Sequence, residues 1–289
     1  MANSLVKTKK TNLEIIQSNI NSLIDSKAKA LPQGFNKTRF VQNAMTVLLD
    51  TPKINDMQPV SVARTILKGA FLGLDFFRKE CYAIPYGANL NFQTDYKGDV
   101  KIAKQYSIRP IEEIYAKVVR EGDEFSEYCE NGRQSFIFRP VAFSQKPIIG
   151  AFATVIFKDG EILVETMSAE EIENIRQSFS KAPNSAAWKN TPSEMYKKTV
   201  LKRLCKNIPL EFKTMEEQLS YSTADNATYE KDYDNKIFSE NADVIDVVPQ
   251  ETTKKVEKAV EVPVEPQAEE TEIFNDGEDD FLSNLKEVE

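Results

Sequence analysis

Apolar residues recur at helical and strand periods as far as residue 212, and there the pattern stops. From Lys213 onward, stretches such as KAVEVPVEPQAEETE are dominated by charge. A segment of that kind buries too little apolar surface to offset the entropy of ordering it. The break also divides the charge. Residues 1–212 carry 30 basic and 23 acidic side chains (net +7), and residues 213–289 carry 7 and 22 (net −15), so the overall −8 conceals a basic body and an acidic tail. Such an asymmetry points to nucleic acid or another anionic surface as partner. The expected organisation is an N-terminal helical segment for self-association (1–34), a basic core that would meet such a partner (35–212) and a flexible acidic tail (213–289). Within the tail, 222–270 reads as a disordered linker. Its last stretch, EIFNDGEDDFLSNLKEVE, carries Ile273, Phe274, Phe281, Leu282 and Leu285, as either partner-docking anchors or part of a solubilising end.

The body reads as α+β. Leu13, Ile16, Ile20, Leu23 and Ile24 place an amphipathic helix over 12–25, and Phe40, Val41, Ala44, Met45 and Leu48 a second helix ended by Asp50-Thr51-Pro52. A third runs from Pro59 to Leu74. CYAIPY and ANLNFQTDY then read as a hairpin, followed by a helix over 96–106. Strands are expected at 111–120, 134–139, 148–158 and 161–167, the last two joined by a Lys158-Asp159-Gly160 turn. Ser168-Ala-Glu-Glu171 is a capping box for a helix over 169–179, and Thr191-Pro-Ser-Glu194 one for a helix to about Lys206. The result is a compact core with a small, mostly antiparallel sheet flanked by helices, an N-terminal helix and a disordered acidic C-terminal tail.

The chain has no histidine, which removes Ser-His-Asp and Cys-His nucleophile pairs, His-ligated metals and His acid–base chemistry. Cys81, Cys129 and Cys205 are too far apart for a CxxC site and read as reduced thiols of a cytoplasmic protein. No apolar run reaches membrane-spanning length, and MANSLVKTKKTNLEII lacks the apolar region of a signal peptide. Neither GxxxxGK[ST] nor GxGxxG occurs, so no nucleotide cofactor is expected. Gly69-Ala-Phe-Leu-Gly73 fits GxxxG, which in a soluble helix reports close packing. Asp95, Asp99, Glu112 and Glu113 leave one enzymatic alternative, a Mg²⁺-dependent nuclease, against the plainer reading of solvated surface charge.

Basic residues form two clusters. On the helix 192–206, Tyr196, Val200, Leu201, Leu204 and Cys205 share one side, while Lys198, Lys202 and Lys206, with Thr199 and Arg203, share the other without interleaved acids. This is either a phosphate-binding stripe or an ordinary solvated face, since charged helix faces usually mix Glu with Lys. Lys197 falls in the apolar sector, to meet an anion there or to snorkel. The second cluster is Gln93-Thr-Asp-Tyr96-Lys97-Gly98-Asp-Val-Lys101-Ile-Ala-Lys104, where lysines recur on a short helix that opens just after a strand. Lysines and a helix N-terminus supply phosphate contacts, and Tyr86, Tyr96 and Trp188 are candidate base stackers, against the alternative of ordinary core aromatics. Lys189 beside Trp188 completes the candidate DNA-binding set. Nothing resembles a base-reading module, so sequence-independent backbone binding is the nucleic-acid reading. A third class is a structural assembly protein whose stripe meets acidic protein surfaces.

Gly73-Leu-Asp, Cys81-Tyr-Ala-Ile-Pro-Tyr86, Gln93-Thr-Asp-Tyr-Lys-Gly98 and Trp188-Lys-Asn-Thr-Pro-Ser-Glu-Met195-Tyr-Lys-Lys-Thr-Val-Leu-Lys-Arg203 occur in the order expected of the RecT family of phage and prophage single-strand annealing proteins. The resemblance covers residues 40–212. It implies ATP-independent annealing of complementary strands without catalytic residues, metal or cofactor. It also implies oligomeric rings or filaments, an α+β core whose subunits line up a positive groove, and a cytoplasmic site of action in the bacterial host. Implied partners are single-stranded DNA, the annealed duplex intermediate, and a phage exonuclease or host single-strand-binding protein. Tyr96, Lys97, Lys197, Lys198 and Arg203 match positions in the shared blocks and are the leading DNA contacts; Gln93 matches as a contact or as a turn residue. Asp75-Phe-Phe-Arg-Lys79 departs from the family, whose members often carry a Pro- or Gly-bearing loop there.

Overall fold

The computed structural model describes residues 10–87, 89–180 and 182–224. Three helices come first: α1 (Asn12–Ser26), α2 (Lys37–Leu49) and α3 (Pro59–Phe71). A hairpin of β1 (Cys81–Tyr86) and β2 (Asn89–Thr94) leads into α4 (Tyr96–Tyr106). Five strands follow: β3 (Ile111–Arg120), β4 (Glu124–Glu130), β5 (Arg133–Arg139), β6 (Ile148–Phe157) and β7 (Ile162–Ser168). The chain then turns helical again with α5 (Ala169–Phe179), α6 (Ala186–Asn190), α7 (Pro192–Asn207) and α8 (Met215–Thr223). This is the expected α+β class. The strands form three small sheets: antiparallel β1–β2, antiparallel β4–β5, and a three-stranded sheet in the order β3-β6-β7.

Helix starts follow from local chemistry. Thr11 and Glu14 cap α1 reciprocally, Ser168 and Glu171 do the same for α5, and Thr214 and Glu217 for α8. At α7 the Thr191 hydroxyl turns back to donate to the Ala187 carbonyl (2.9 Å), while the Thr191 carbonyl accepts from the amides of Glu194 and Met195. The threonine thus closes α6 as well as opening α7.

The described chain divides into two compact units, with boundaries inside β3, β6 and α7. The first holds residues 10–114, 155–161 and 202–224. Its axis is α3, where Val62, Ala63, Ile66, Leu67, Ala70 and Phe71 are all fully buried. Gly69 lies on this helix because a Cβ there would come within 2.6 Å of the Phe76 ring, which is the close packing that GxxxG suggested. Phe35, Phe40, Phe76 and Phe92 continue the core as a chain of tilted and edge-on rings 5.2–6.1 Å apart. Ile16, Ile20, Leu23 and Ile24 of α1 are buried in the same cluster, and α1 packs along α3. The apolar side of α1, expected to be open for self-association, is therefore occupied within the subunit.

The second unit holds residues 115–154 and 162–201. Phe152 of β6 is its centre, with the rings of Phe125, Phe136 and Phe138 at 5.0–5.1 Å. Those three phenylalanines come from the β4–β5 hairpin. Strand β4 is one that period-2 alternation does not announce, since most of it is exposed. The readable signal was Asn131-Gly132, both at positive φ, as a two-residue hairpin turn requires.

The expected boundary at residue 212 falls short of the fold. Helix α8 continues it to residue 224, with Glu217, Ser220, Thr223 and Ala224 buried. Glu217 is held by the amides of Lys213 (2.9 Å) and Thr214 (3.0 Å), and it accepts a hydrogen bond from the Tyr106 hydroxyl (3.0 Å). Burial and this carboxylate push the Tyr106 phenol well above its ordinary pKa. The docking segment expected after residue 270 lies outside the described residues. Because α8 closes over Tyr106 and Phe212, a chain ending at residue 212 should melt roughly 5–10 °C below one ending at 224, as expected for a loss of about 2–3 kcal/mol from a domain of this size. Thermal unfolding followed by circular dichroism checks this; equal melting temperatures would show α8 to be dispensable.

Candidate nucleic-acid interface

Helix α4 is placed by the turn that precedes β1. Glu80 accepts the Asp95 amide on its carbonyl (3.1 Å) and binds the Lys101 ammonium with its carboxylate (2.6 Å). Lys101 also donates to the Gly73 carbonyl (2.7 Å). A Cβ on Gly98 would stand 2.0 Å from the Glu80 carbonyl oxygen, so only glycine lets α4 approach this closely. Asp95 caps the helix by accepting from the Lys97 amide. Tyr96 and Lys97 thereby occupy the first turn, with the Lys97 ammonium 5.7 Å from the Tyr96 ring centre. Gln93, half-buried on β2, donates to the Tyr86 hydroxyl (3.4 Å). Lys97 and Lys104 are exposed, whereas Lys101 is half-buried in the clamp just described. Glu80, which sequence reasoning did not single out, organises the cluster.

Helix α7 has the two faces its sequence predicts. Tyr196, Val200, Leu201, Leu204 and Cys205 are buried. Arg203 and Lys206 are exposed, and Lys198 and Lys202 are half-buried. Successive lysines four residues apart stand about 6 Å apart along the axis. Within the first unit, the end of α7 meets α4: burial and the Asp99 carboxylate raise the Cys205 thiol to about 12, while Lys202 pulls it down. Lys97, Lys104, Lys202, Arg203 and Lys206 are thus carried by α4 and the end of α7, both in that unit.

In the second unit, Lys197 pairs with Glu194 one turn earlier. Lys189 is exposed at the end of α6. Trp188 is only 6% exposed, with the Arg176 guanidinium 5.2 Å from its ring centre and the Tyr196 ring edge-on at 6.5 Å. Tyr196 donates to Glu173, and burial together with that carboxylate raises its pKa. The structure thus places Trp188 in a packed aromatic and ion-pair cluster, where stacking on a base would require the ring to leave both partners.

The carboxylates considered for a nuclease do not converge. Asp95 caps α4, Asp99 is buried beside Cys205, and Glu112 and Glu113 are exposed on β3. Among the described residues no group of three or more Asp, Glu or Cys side chains is arranged to hold a metal ion, and no helix is long and apolar enough to cross a membrane.

The sequence model of the RecT family matches residues 38–240. Protein RecT of Escherichia coli (strain K12) is 31% identical over 200 residues, which span 65% of this chain and 72% of that protein. The chain belongs to the RecT family. Membership places it among the single-strand annealing proteins of DNA recombination, and both basic clusters lie inside the matched region. The matched region runs past α8, in keeping with a fold that extends beyond residue 212.

The environments of the three thiols differ enough to report on the fold of the interface. Cys205 lies on the buried side of α7, and Cys81 is buried, with burial and the nearby Glu80 and Asp75 raising its pKa; Cys129 on β4 is exposed. At pH 8 a thiol reagent should therefore modify Cys129 quickly and reach Cys81 and Cys205 only after unfolding. Mass spectrometry of the labelled native protein measures this; rapid labelling of Cys205 would mean that α7 does not pack as described.

Proposed function

We propose that this protein anneals complementary DNA strands without ATP by binding their phosphate backbones along α7 and the start of α4. The observation that carries the reading is the row of cations on α7, Lys198, Lys202, Arg203 and Lys206, on the face opposite its buried residues, in a chain of the RecT family. Annealing needs two like-charged strands to approach, and phosphate neutralisation by lysine and arginine lowers that barrier while leaving base edges open for pairing. It needs no bond to be made or broken, which fits a chain with no histidine and no phosphate-binding loop. Single-stranded DNA and the annealed intermediate are the ligands, with Gln93, Tyr96, Lys97 and Lys104 as further contacts from β2 and α4. Lys101 contributes by holding α4 through Glu80.

The protein acts as a homo-oligomer in the bacterial cytoplasm, with a phage exonuclease or a host single-strand-binding protein as the partner class that the family suggests. Since α1 buries its apolar side internally, subunits meet through other surfaces. Replacing Lys198 and Lys202 with Glu should weaken binding to oligonucleotides of every sequence. It should also reduce the slope of log affinity against log salt by about 1.4, at ~0.7 per single-strand phosphate contact. Fluorescence anisotropy at several salt concentrations, with an ATP-free annealing assay alongside, decides it. Unchanged affinity at low salt would reject the interface, and Mg²⁺-dependent cleavage abolished by Asp95→Ala would reject annealing as the sole activity.

A further inference from the structure

Residues 75–80 form a single tight turn closed at both ends. Asp75 Oδ1 accepts the amides of Phe77 (2.9 Å) and Arg78 (3.3 Å), capping the turn at its start. At its end Lys79 takes a left-handed φ of 56°, with its amide bonded to the Phe76 carbonyl and the Glu80 amide to the Asp75 carbonyl, both at 3.1 Å. Asn43 secures the other Asp75 oxygen at 2.7 Å, and the Asp75 amide donates to the Glu80 carboxylate at 2.9 Å.

This rigid turn orients two adjacent phenylalanines oppositely. Phe76 is 3% exposed in the aromatic chain of the core, whereas Phe77 is 60% exposed. Arg78 and Lys79 follow it and are exposed as well. Among the described residues no carboxylate pairs with either of these two cations. Among the described residues, nothing in the packing of the subunit asks for a large ring at position 77.

We propose that this turn is a single-strand-binding finger, in which Phe77 stacks on a base and Arg78 and Lys79 take the flanking phosphates. The inference deepens the annealing reading above and rests on it. Three observations favour DNA as the occupant. An exposed ring followed by two cations is the combination that single-strand binders use, because every base has a face on which to stack. The turn is locked to α4 through Glu80 and Gly98, so its backbone is held in fixed relation to the start of α4, where Tyr96 and Lys97 stand. Arg78 also stands on the wall of a cleft of about 720 Å³ that Lys29 and Lys213 line as well, while Lys101 and Arg39 on that wall are paired with Glu80 and Asp75. The two carboxylates on that wall have internal partners. Asp75 faces Phe77, Arg78, Asn43 and Arg39, and Glu217 faces Lys213, Thr214 and Tyr106. A strand with one base on Phe77 therefore has Arg78, a residue of that cleft wall, beside it.

The test compares wild type, Phe77→Ala, Phe77→Trp and the Lys198→Glu/Lys202→Glu double variant. Each is titrated with a labelled oligonucleotide and with the same oligonucleotide carrying abasic sites. Phe77→Ala should unfold at the wild-type temperature, bind the normal oligonucleotide about tenfold more weakly, and lose most of the discrimination against abasic sites. Phe77→Trp should recover that discrimination, and its added fluorescence should be quenched by DNA. If Phe77→Ala binds both oligonucleotides as wild type does while the lysine variant fails, the finger is overturned and the backbone reading stands. If Phe77→Ala instead lowers the assembly mass in sedimentation with affinity unchanged, the ring meets a second copy and the proposal is equally overturned. Normal binding by the lysine variant as well would bring down the finger and the reading on which it rests.

Discussion

Glu80 is the residue on which the geometry of the first unit turns. Its carbonyl takes the amide that begins α4, its carboxylate takes the Lys101 ammonium and the Asp75 amide, and its own amide closes the turn before it. One residue thus joins the end of α3, the hairpin and α4 through groups that are at most half exposed, where a hydrogen bond to an ionised group is worth about 1.5–3 kcal/mol. The lysine it engages cannot also be a free counter-ion. Within a helix of three candidate lysines, the middle one positions and the outer two remain exposed.

Helix α7 resolves a different conflict. Like charges four residues apart each cost a helix about 0.2–0.5 kcal/mol, so a row of them is unfavourable in isolation. Burial of Val200, Leu201 and Leu204 on the opposite side contributes about 1.5–3 kcal/mol per side chain. Packing therefore outweighs repulsion, and the helix holds its cations in line because its other face is anchored. Repulsion among surface charges of this kind falls with salt, whereas the packing that aligns them does not.

The parts of the fold that were legible in sequence are those whose signal is local. The Ser168–Glu171 box starts α5 where the pattern says it should, and the residues chosen for the buried face of α7 are the buried ones. What escaped depends on partners distant in sequence. Strand β4 is mostly exposed and shows no alternation, and Phe125 becomes a core residue only because Phe152 arrives from β6. Helix α8 reads as the start of an acidic tail until Tyr106, 111 residues away, supplies the donor that lets Glu217 be buried. In the site, the lysine spacing is visible on the helices, but the pairing of Lys101 with Glu80 and the enclosure of Trp188 by Arg176 and Tyr196 are not. Redrawn at residue 224, the charge division becomes +6 for residues 1–224 and −14 for residues 225–289, so the contrast survives the correction.

Gly98 illustrates how such an interface sets its own tolerance to change. Any side chain there meets a backbone oxygen, which cannot swing aside as a flexible side chain would. The strain would be relieved by lifting the start of α4, carrying Tyr96 and Lys97 away from the hairpin as one body. A genetic screen for lost DNA binding would then return this position beside the lysines, although a glycine has no side chain with which to hold DNA. Its sensitivity would measure how closely two backbones must meet for the cations to be in place.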